Sequence, residues 1–287
     1  MTYSAGGNDI SRRGLSLDPQ SYLSRFLDME NSPCVVGTAG WSIPAAHNTS
    51  FPALGSHLER YAARLSIVEI NSSFHKSHRE ETYERWARSV PDHFRFSAKL
   101  PKTMTHERRL QGCNDLLDVF LGQIEGLGAK LSVLLVQLPP SLQFEAQTAE
   151  NFFASLRAKT DRRLVCEPRH PSWFEPEAEA LLSRFQVGRV AADPASVPVA
   201  AMPGGWRELA YFRFHGAPRI YYSDYEAGQL LDVGRRLAEA NASAAEVWCI
   251  FDNTARGHAL GNALSVDAAV RQMTFSSRNA LPSATRS

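Results

Sequence analysis

Tyr211-Phe212-Arg213-Phe214-His215 sets an arginine and a histidine into an aromatic run, and this alternation decides how the chain is expected to fold. Successive side chains on a strand point to opposite faces, so Arg213 and His215 share one face while Phe212 and Phe214 share the other. Ile67-Val68-Glu69-Ile70-Asn71 repeats the arrangement, with Glu69 and Asn71 opposed to Val68 and Ile70. Strands that are apolar on one face, and charged toward their C-terminal ends on the other, suit the wall of a parallel barrel. The active face of that architecture lies at the strand ends.

Working outward, β-branched or aromatic runs recur from Cys34 to Thr38, Ser66 to Asn71, Phe94 to Leu100 and Leu131 to Leu138. Four more run from Arg163 to Glu167, Val187 to Asp193, Leu209 to His215 and Glu246 to Asp252. Helical patterns separate most of them: Glu80 to Arg88, Leu116 to Leu127, Ala149 to Leu156, Pro176 to Arg184, Tyr225 to Ala240 and Gly257 to Gln272. Eight alternating strands predict an α/β fold of the closed, parallel (β/α)₈ type, TIM-barrel-like. Between Asp193 and Leu209, the residues Pro194, Pro198, Pro203 and Gly204-Gly205 leave little room for a helix, so one unit is expected to be degenerate. The barrel is expected to occupy 31–275 as one domain, after a partly flexible extension at 1–30 with a short amphipathic stretch from Tyr22 to Leu27. A flexible tail is expected at 276–287.

Among the 287 residues, 31 basic side chains nearly cancel 30 acidic ones, which excludes a global field that would draw the chain onto nucleic acid or an anionic membrane. Cys34, Cys113, Cys166 and Cys249 lie far apart without zinc-ligand spacing, and read as buried thiols in a reducing compartment. With no apolar leader and no run of membrane-spanning length, the expected location is cytoplasmic, with no membrane partner. Dinucleotide-binding, P-loop and hydrolase-elbow glycine motifs are absent from the sequence.

Extending the two-residue count along the other strands adds Ser97 and Lys99, Gln137, Glu167 and Arg169, and Asp193 to the inward, C-terminal set. Isolated ions buried among barrel side chains cost several kcal/mol. Glu69, Glu167 and Asp193 are therefore expected to be matched by Lys99, Arg169 and Arg213. Such a balance suits either a structural ion network or a proton-transfer site. The carboxylates together with His75, His106, His170 and His215 could also hold a divalent metal, although three fixed cations oppose it and no cofactor is predicted. An anion site is the better-supported expectation, because Asn253 and Thr254 follow the eighth strand just before a helix, where phosphates bind in such barrels. Ordinary helix capping selects the same residue types. The basic stretch from Lys99 to Arg109 reads as a solvated loop more readily than as a nucleic-acid track. Gly37 and Trp41 end the first strand, where small residues permit close approach of a ligand or merely a turn.

Gly37-Thr38-Ala39-Gly40-Trp41, Val68-Glu69-Ile70-Asn71-Ser72-Ser73-Phe74, Thr105-His106 and Gln137-Leu138-Pro139-Pro140 carry a family resemblance. So do Glu167-Pro168-Arg169-His170-Pro171-Ser172-Trp173, Arg213-Phe214-His215-Gly216 and Phe251-Asp252-Asn253-Thr254. Together these blocks, spread from Pro33 to Ala269, resemble the YecE-like family, domain of unknown function 72. The resemblance implies a TIM-barrel-like fold and no settled reaction. Its motif positions fall here on Gly37, Trp41, Glu69, Asn71, His106, Gln137, Glu167, Arg169, His170, Arg213, His215 and Asn253. Two departures are His75, where the family often has Tyr, and Ser42-Ile43-Pro44-Ala45-Ala46, where it is often rich in Trp and Tyr.

The leading expectation is an enzyme acting on an anionic, phosphate-bearing small molecule or nucleic-acid fragment. Glu69 or Glu167 would serve as base, His170 or His215 as acid, and Lys99, Arg169 and Arg213 as anion clamp. The rival is a binding protein that uses the same charges without turnover. The sequence leaves oligomeric state open.

Overall fold

The computed structural model describes residues 34–279, with side chains described as far as residue 272. The expected extension at 1–30 and residues 280–287 of the expected tail lie outside the described residues. Five strands follow one another in chain order around the sheet: β1 (Cys34–Ala39), β2 (Ile67–Ile70), β3 (Arg95–Lys99), β4 (Leu131–Gln137) and β5 (Arg163–Glu167). The expected sixth strand is broken at Val190 into β6 (Val187–Arg189), which pairs with β5, and β7 (Ala191–Asp193), which pairs with β9 (Leu209–Phe214). β9 in turn pairs with β10 (Glu246–Phe251), and β10 with β1. The broken strand therefore joins the two ends of the sheet into a barrel, and all these pairings are parallel. Between β7 and β9 there is no α-helix, only a 3₁₀ turn at Pro198–Ala201 and the two-residue β8 (Gly204–Gly205), antiparallel to β6.

Helices cover the outside: α1 (His57–Ala62), α2 (Glu80–Arg88), α3 (Asn114–Ile124), α4 (Ala146–Lys159), α5 (Pro176–Arg184), α6 (Ala227–Asn241) and α7 (His258–Asn279). Their starts are chemically marked. Ser56 and Glu59 form a reciprocal capping box at α1, Glu145 accepts from Gln147 and Thr148 at α4, and Pro176 opens α5 without losing a helical hydrogen bond. α1 does not figure in the sequence expectation, whereas α7 extends it, running seven residues past Gln272. Among the described residues, no helix is long and apolar enough to cross a membrane.

Alternation along the strands produces two apolar layers. Outward side chains such as Val68, Ile70, Leu134, Phe212 and Phe214 pack beneath the helices. Inward ones, including Ile67, Val133, Leu135, Val165, Tyr211, Trp248 and Ile250, fill the barrel. Tyr211 and Trp248 stack across neighbouring strands at 5.9 Å. Below them Arg163 pairs with Glu246, whose carboxylate also accepts from Trp248 Nε1 at 2.6 Å. The lower barrel is thus plugged, and polar side chains gather at the other end.

Candidate functional site

Four strands deliver one charged side chain each to the plane above this plug: Glu69 from β2, Glu167 from β5, Arg213 from β9, and Asp252 immediately after β10. Arg213 is fully buried. Its Nε and Nη2 donate to the two Glu69 oxygens at 3.1 and 2.7 Å, Nη2 donates to Asp252 Oδ2 at 2.9 Å, and Nη1 donates to Glu167 Oε2. The planar fork of a guanidinium matches a carboxylate bidentately, which is the geometry found with Glu69. Tyr211 completes that side by donating to Glu69 at 2.9 Å, with Ser97 Oγ 2.8 Å from its hydroxyl.

His215 sits between two carboxylates, Nδ1 3.0 Å from Asp252 Oδ2 and Nε2 3.0 Å from Glu167 Oε1. Neutral imidazole offers one donor and one acceptor, so satisfying both oxygens requires imidazolium. Although burial opposes the charge, Glu167 and Asp252 raise the His215 pKa. Conversely, burial alone would raise Glu167, but Arg213, His215 and Arg169 hold its carboxyl well below the usual range. Arg169 donates to Glu167 from Nε at 3.1 Å and Nη2 at 3.0 Å, and Gln137 contributes a longer bond at 3.4 Å. Asp252 is likewise lowered, against burial, by Arg213 and by its bond to His215. Three carboxylates thus meet three cations, Arg213, Arg169 and protonated His215, and the knot balances.

Above the knot opens a cavity of about 540 Å³, lined among others by Asn71, Phe74, Lys99, His106, Arg169 and Tyr221. Lys99 is 5% exposed, and its ammonium lies 4.1 Å over the Phe74 ring. Among the described residues no carboxylate comes within ion-pair distance of it. Burial, and then repulsion from Arg213, push its pKa down to about 8. One turn of π-helix at Thr103–Glu107 carries His106 to the rim, edge-on to Phe74 at 5.0 Å and 2.8 Å from Thr105 Oγ1. Burial, with Lys99 and Arg169 nearby, lowers its pKa, so it is neutral at pH 7.

Of the residues expected from sequence, Glu69, Asn71, Lys99, His106, Gln137, Glu167, Arg169, Arg213, His215 and Thr254 belong to the knot or the cavity wall. Asp193 does not join them. Val190 faces the barrel interior and Ala191 the helices, so Asp193, two residues beyond Ala191, points outward. There it accepts from Tyr225 at 2.9 Å and faces Arg236 at 3.6 Å. Asp252 takes the place that the sequence reading gave to Asp193. His170 caps a 3₁₀ turn, its Nδ1 accepting from Ser172 N at 3.2 Å. Asn253 ties the loop after β9 to α7, donating to Ser223 O and to Asn262 Oδ1. Trp41 packs edge-on against Trp86 at 4.9 Å, away from the cavity wall. Gly37 lies in the barrel wall against the backbone of β2. Within the basic stretch, Lys102 pairs with Glu107 and Arg108 with Asp115, and only Lys99 and His106 reach the cavity. Among the described residues, no group of three or more His, Cys, Asp or Glu side chains is arranged to hold a metal ion.

Asp252, Tyr211, Phe74, His75 and Tyr221 are site residues that the sequence reading did not single out for these roles. For Asp252 the signal was present, since Glu246, Trp248, Ile250 and Asp252 alternate along one face. Tyr221 had none. It reaches the site from the loop after β9 on a left-handed backbone (φ 69°), its hydroxyl 3.4 Å from Arg169.

The model of a family described as "Protein of unknown function DUF72" matches residues 35–286. The chain belongs to the DUF72 family. UPF0759 protein YecE of Escherichia coli K12 is 31% identical over 152 residues, covering 52% of this chain and 53% of YecE. That match spans about half the length of the relative. UPF0759 protein YunF of Bacillus subtilis is 24% identical over 260 residues, covering 79% of this chain and 91% of YunF. The crystal structure of a DUF72 family protein from Thermotoga maritima superposes with a TM-score of 0.68 at 24% identity, covering 83% of this chain and 99% of that one. One from Enterococcus faecalis gives 0.69 at 22% identity, covering 84% and 99%. For this DUF72 chain the likeness to solved structures establishes the barrel and leaves the chemistry to be argued from the cavity.

Proposed function

We propose that the cavity is the active site of an enzyme that binds a small anionic molecule and moves protons on it. A single observation carries this reading: the buried knot is already neutral, so the Lys99 ammonium is a surplus positive charge on the cavity wall. A buried charge without a partner is costly, and an incoming carboxylate or phosphate would supply the partner. Arg169 adds a second donor, because its Nη1 has no hydrogen-bond partner among the described residues while Nε and Nη2 are engaged. Proton transfer is better suited to His106, neutral at pH 7 and beside the cavity, than to Glu167. A carboxylate held far below its usual pKa by several donors is a poor base. Arg213 has the same standing: its donors are committed to three carboxylates, which leaves the clamp to Lys99 and Arg169.

Sulfate is a suitable probe, because its charge does not change between pH 6 and 10. Calorimetric titration is expected to show binding that weakens as pH rises through about 8, where Lys99 loses its proton. Lys99→Met should weaken it at least tenfold, a loss of about 1.4 kcal/mol. Affinity that ignores both pH and the substitution would refute the reading. The saturation of Glu167 favours the rival, binding without turnover. His106→Gln separates the two: an enzyme loses kcat with little change in ligand affinity, whereas a binding protein shows no turnover to lose.

A further inference from the structure

Building on that reading of the cavity, we propose that Lys99 is a covalent catalyst that condenses with the carbonyl group of an anionic aldehyde or ketone. The neutral Nζ would add its electron pair to the carbonyl carbon as the carbonyl oxygen takes up a proton. The resulting carbinolamine then loses that oxygen as water, while nitrogen gives up its second proton and the C=N bond closes. Amine plus carbonyl gives imine plus water, with no oxidant or reductant required.

The placement of Lys99 suits this step. It ends β3, its carbonyl is tied by Ser73 Oγ at 2.7 Å, and its side chain crosses a buried environment to reach a cavity large enough for a small metabolite. Three of the other four lysines are engaged elsewhere. Lys102 pairs with Glu107 at 3.0 Å, Lys159 with Asp118 at 2.5 Å, and Lys130 donates to the Ala87 and Val90 carbonyls at 2.8 and 2.6 Å. Among the described residues, the Lys99 ammonium has no ion-pair or hydrogen-bond partner, only the face of Phe74. Its pKa of about 8 leaves roughly one-tenth of the side chain as free amine at pH 7, on the order of 300-fold more than an ordinary lysine has. Lysines activated by burial and by neighbouring cations form imines for this reason. The rest of the cavity fits the same chemistry. Arg169 Nη1 can take the substrate's oxyanion, and His106 or Tyr221 can pass the protons that water loss requires. The surplus charge that draws the anion in and the amine that reacts with it are then two protonation states of one residue.

Borohydride trapping tests this on the full-length protein. Glyoxylate, glyceraldehyde 3-phosphate and uncharged propanal are each incubated with sodium cyanoborohydride, and adducts are located by intact mass and peptide mapping, with sulfate binding measured in parallel. The five lysines provide internal controls. Expected is a single adduct on Lys99, at least tenfold over every other lysine, with glyoxylate or the phosphate and not with propanal, and faster at pH 8 than at pH 6. Which anionic probe labels better tells carboxylate from phosphate. Lys99→Arg, which keeps the charge and cannot form the imine, should lose the adduct. Label spread evenly over the lysines, or Lys99 left unlabelled while sulfate still binds, would overturn the covalent role and leave the anion site standing. Equal labelling by propanal would overturn the anionic substrate class. If sulfate does not bind and Lys99 is not labelled, both readings fall.

Discussion

Arg213 is where the energetics of the site concentrate, because one guanidinium compensates three carboxylates at the centre of the barrel. Removing one partner of a buried ion cluster costs far more than its net worth, since the others keep their desolvation penalty without compensation. Arg213→Met is therefore expected to lower stability by about 3–5 kcal/mol, read from urea denaturation at pH 7. A loss under 1 kcal/mol would mean that water or a rearranged cation reaches Glu69 and Glu167. Lys99→Met, by contrast, removes a charge with no counter-ion, and in the absence of ligand should leave stability unchanged or raise it. The contrast also shows what was legible at this scale. Which residues carry charge inward could be read by counting in twos along Glu69, Lys99, Glu167, Arg169 and Arg213. Which of them pair could not, because pairing depends on where strands meet across the barrel. The sequence reading set Lys99 against a carboxylate. In the structure His215 takes that place, since its two ring nitrogens reach two carboxylates at once.

At the scale of elements, parity explains both the success and the error. Counting worked wherever a strand ran unbroken, as in β2, β4, β5 and β9. It failed at Asp193 because the outward set runs through Val187, Arg189, Ala191 and Asp193, so its charged residues face the helices, where Arg189 pairs with Glu179 of α5, and not the barrel mouth. α1 was missed although Ser56-His57-Leu58-Glu59 carries the capping-box spacing. A six-residue helix simply has too few turns to show a periodic apolar face. Gly37 illustrates a constraint of strand on strand. A Cβ there would stand 2.3 Å from the Ile67 carbonyl oxygen and 2.8 Å from its Cγ1. Since the first of these is backbone in the paired strand, it cannot swing aside. Gly37→Ala should force β1 and β2 apart and lower stability by about 1–3 kcal/mol, the usual range for overpacking, visible as a lower melting temperature. Gly40→Ala provides the comparison: nothing lies within 4 Å of its Cβ, so its cost would come from the backbone, held at φ 79°. If Gly37→Ala is neutral, the close approach of β1 and β2 is not a fixed feature of the wall.

For the molecule as a whole, the knot ties β2, β5, β9 and the end of β10 across the barrel, so its protonation should govern global stability instead of local order. Glu167 and Asp252 have folded pKa values below their ordinary 4.5 and 3.8. The stability they contribute is complete above those ordinary values and is lost as pH falls through the lower folded ones. His215 is shifted upward from 6.5. Its contribution is complete below 6.5 and disappears as pH rises through its raised folded value. Lys99 works in the opposite sense on the alkaline side, because its folded pKa of about 8 lies below the ordinary 10.5, so stability recovers as pH climbs between those values. Scanning calorimetry of the ligand-free protein from pH 3 to pH 10 should then show one cooperative transition with an acid limb that begins below about pH 4.5 and steepens downward. His215→Gln should weaken that limb, because part of what depresses Glu167 and Asp252 is removed, and Lys99→Met should abolish the alkaline recovery. A melting temperature that is flat between pH 5 and pH 3 would contradict the low carboxylate pKa values. Two separate transitions would contradict the claim that one ion cluster holds opposite walls of the barrel together.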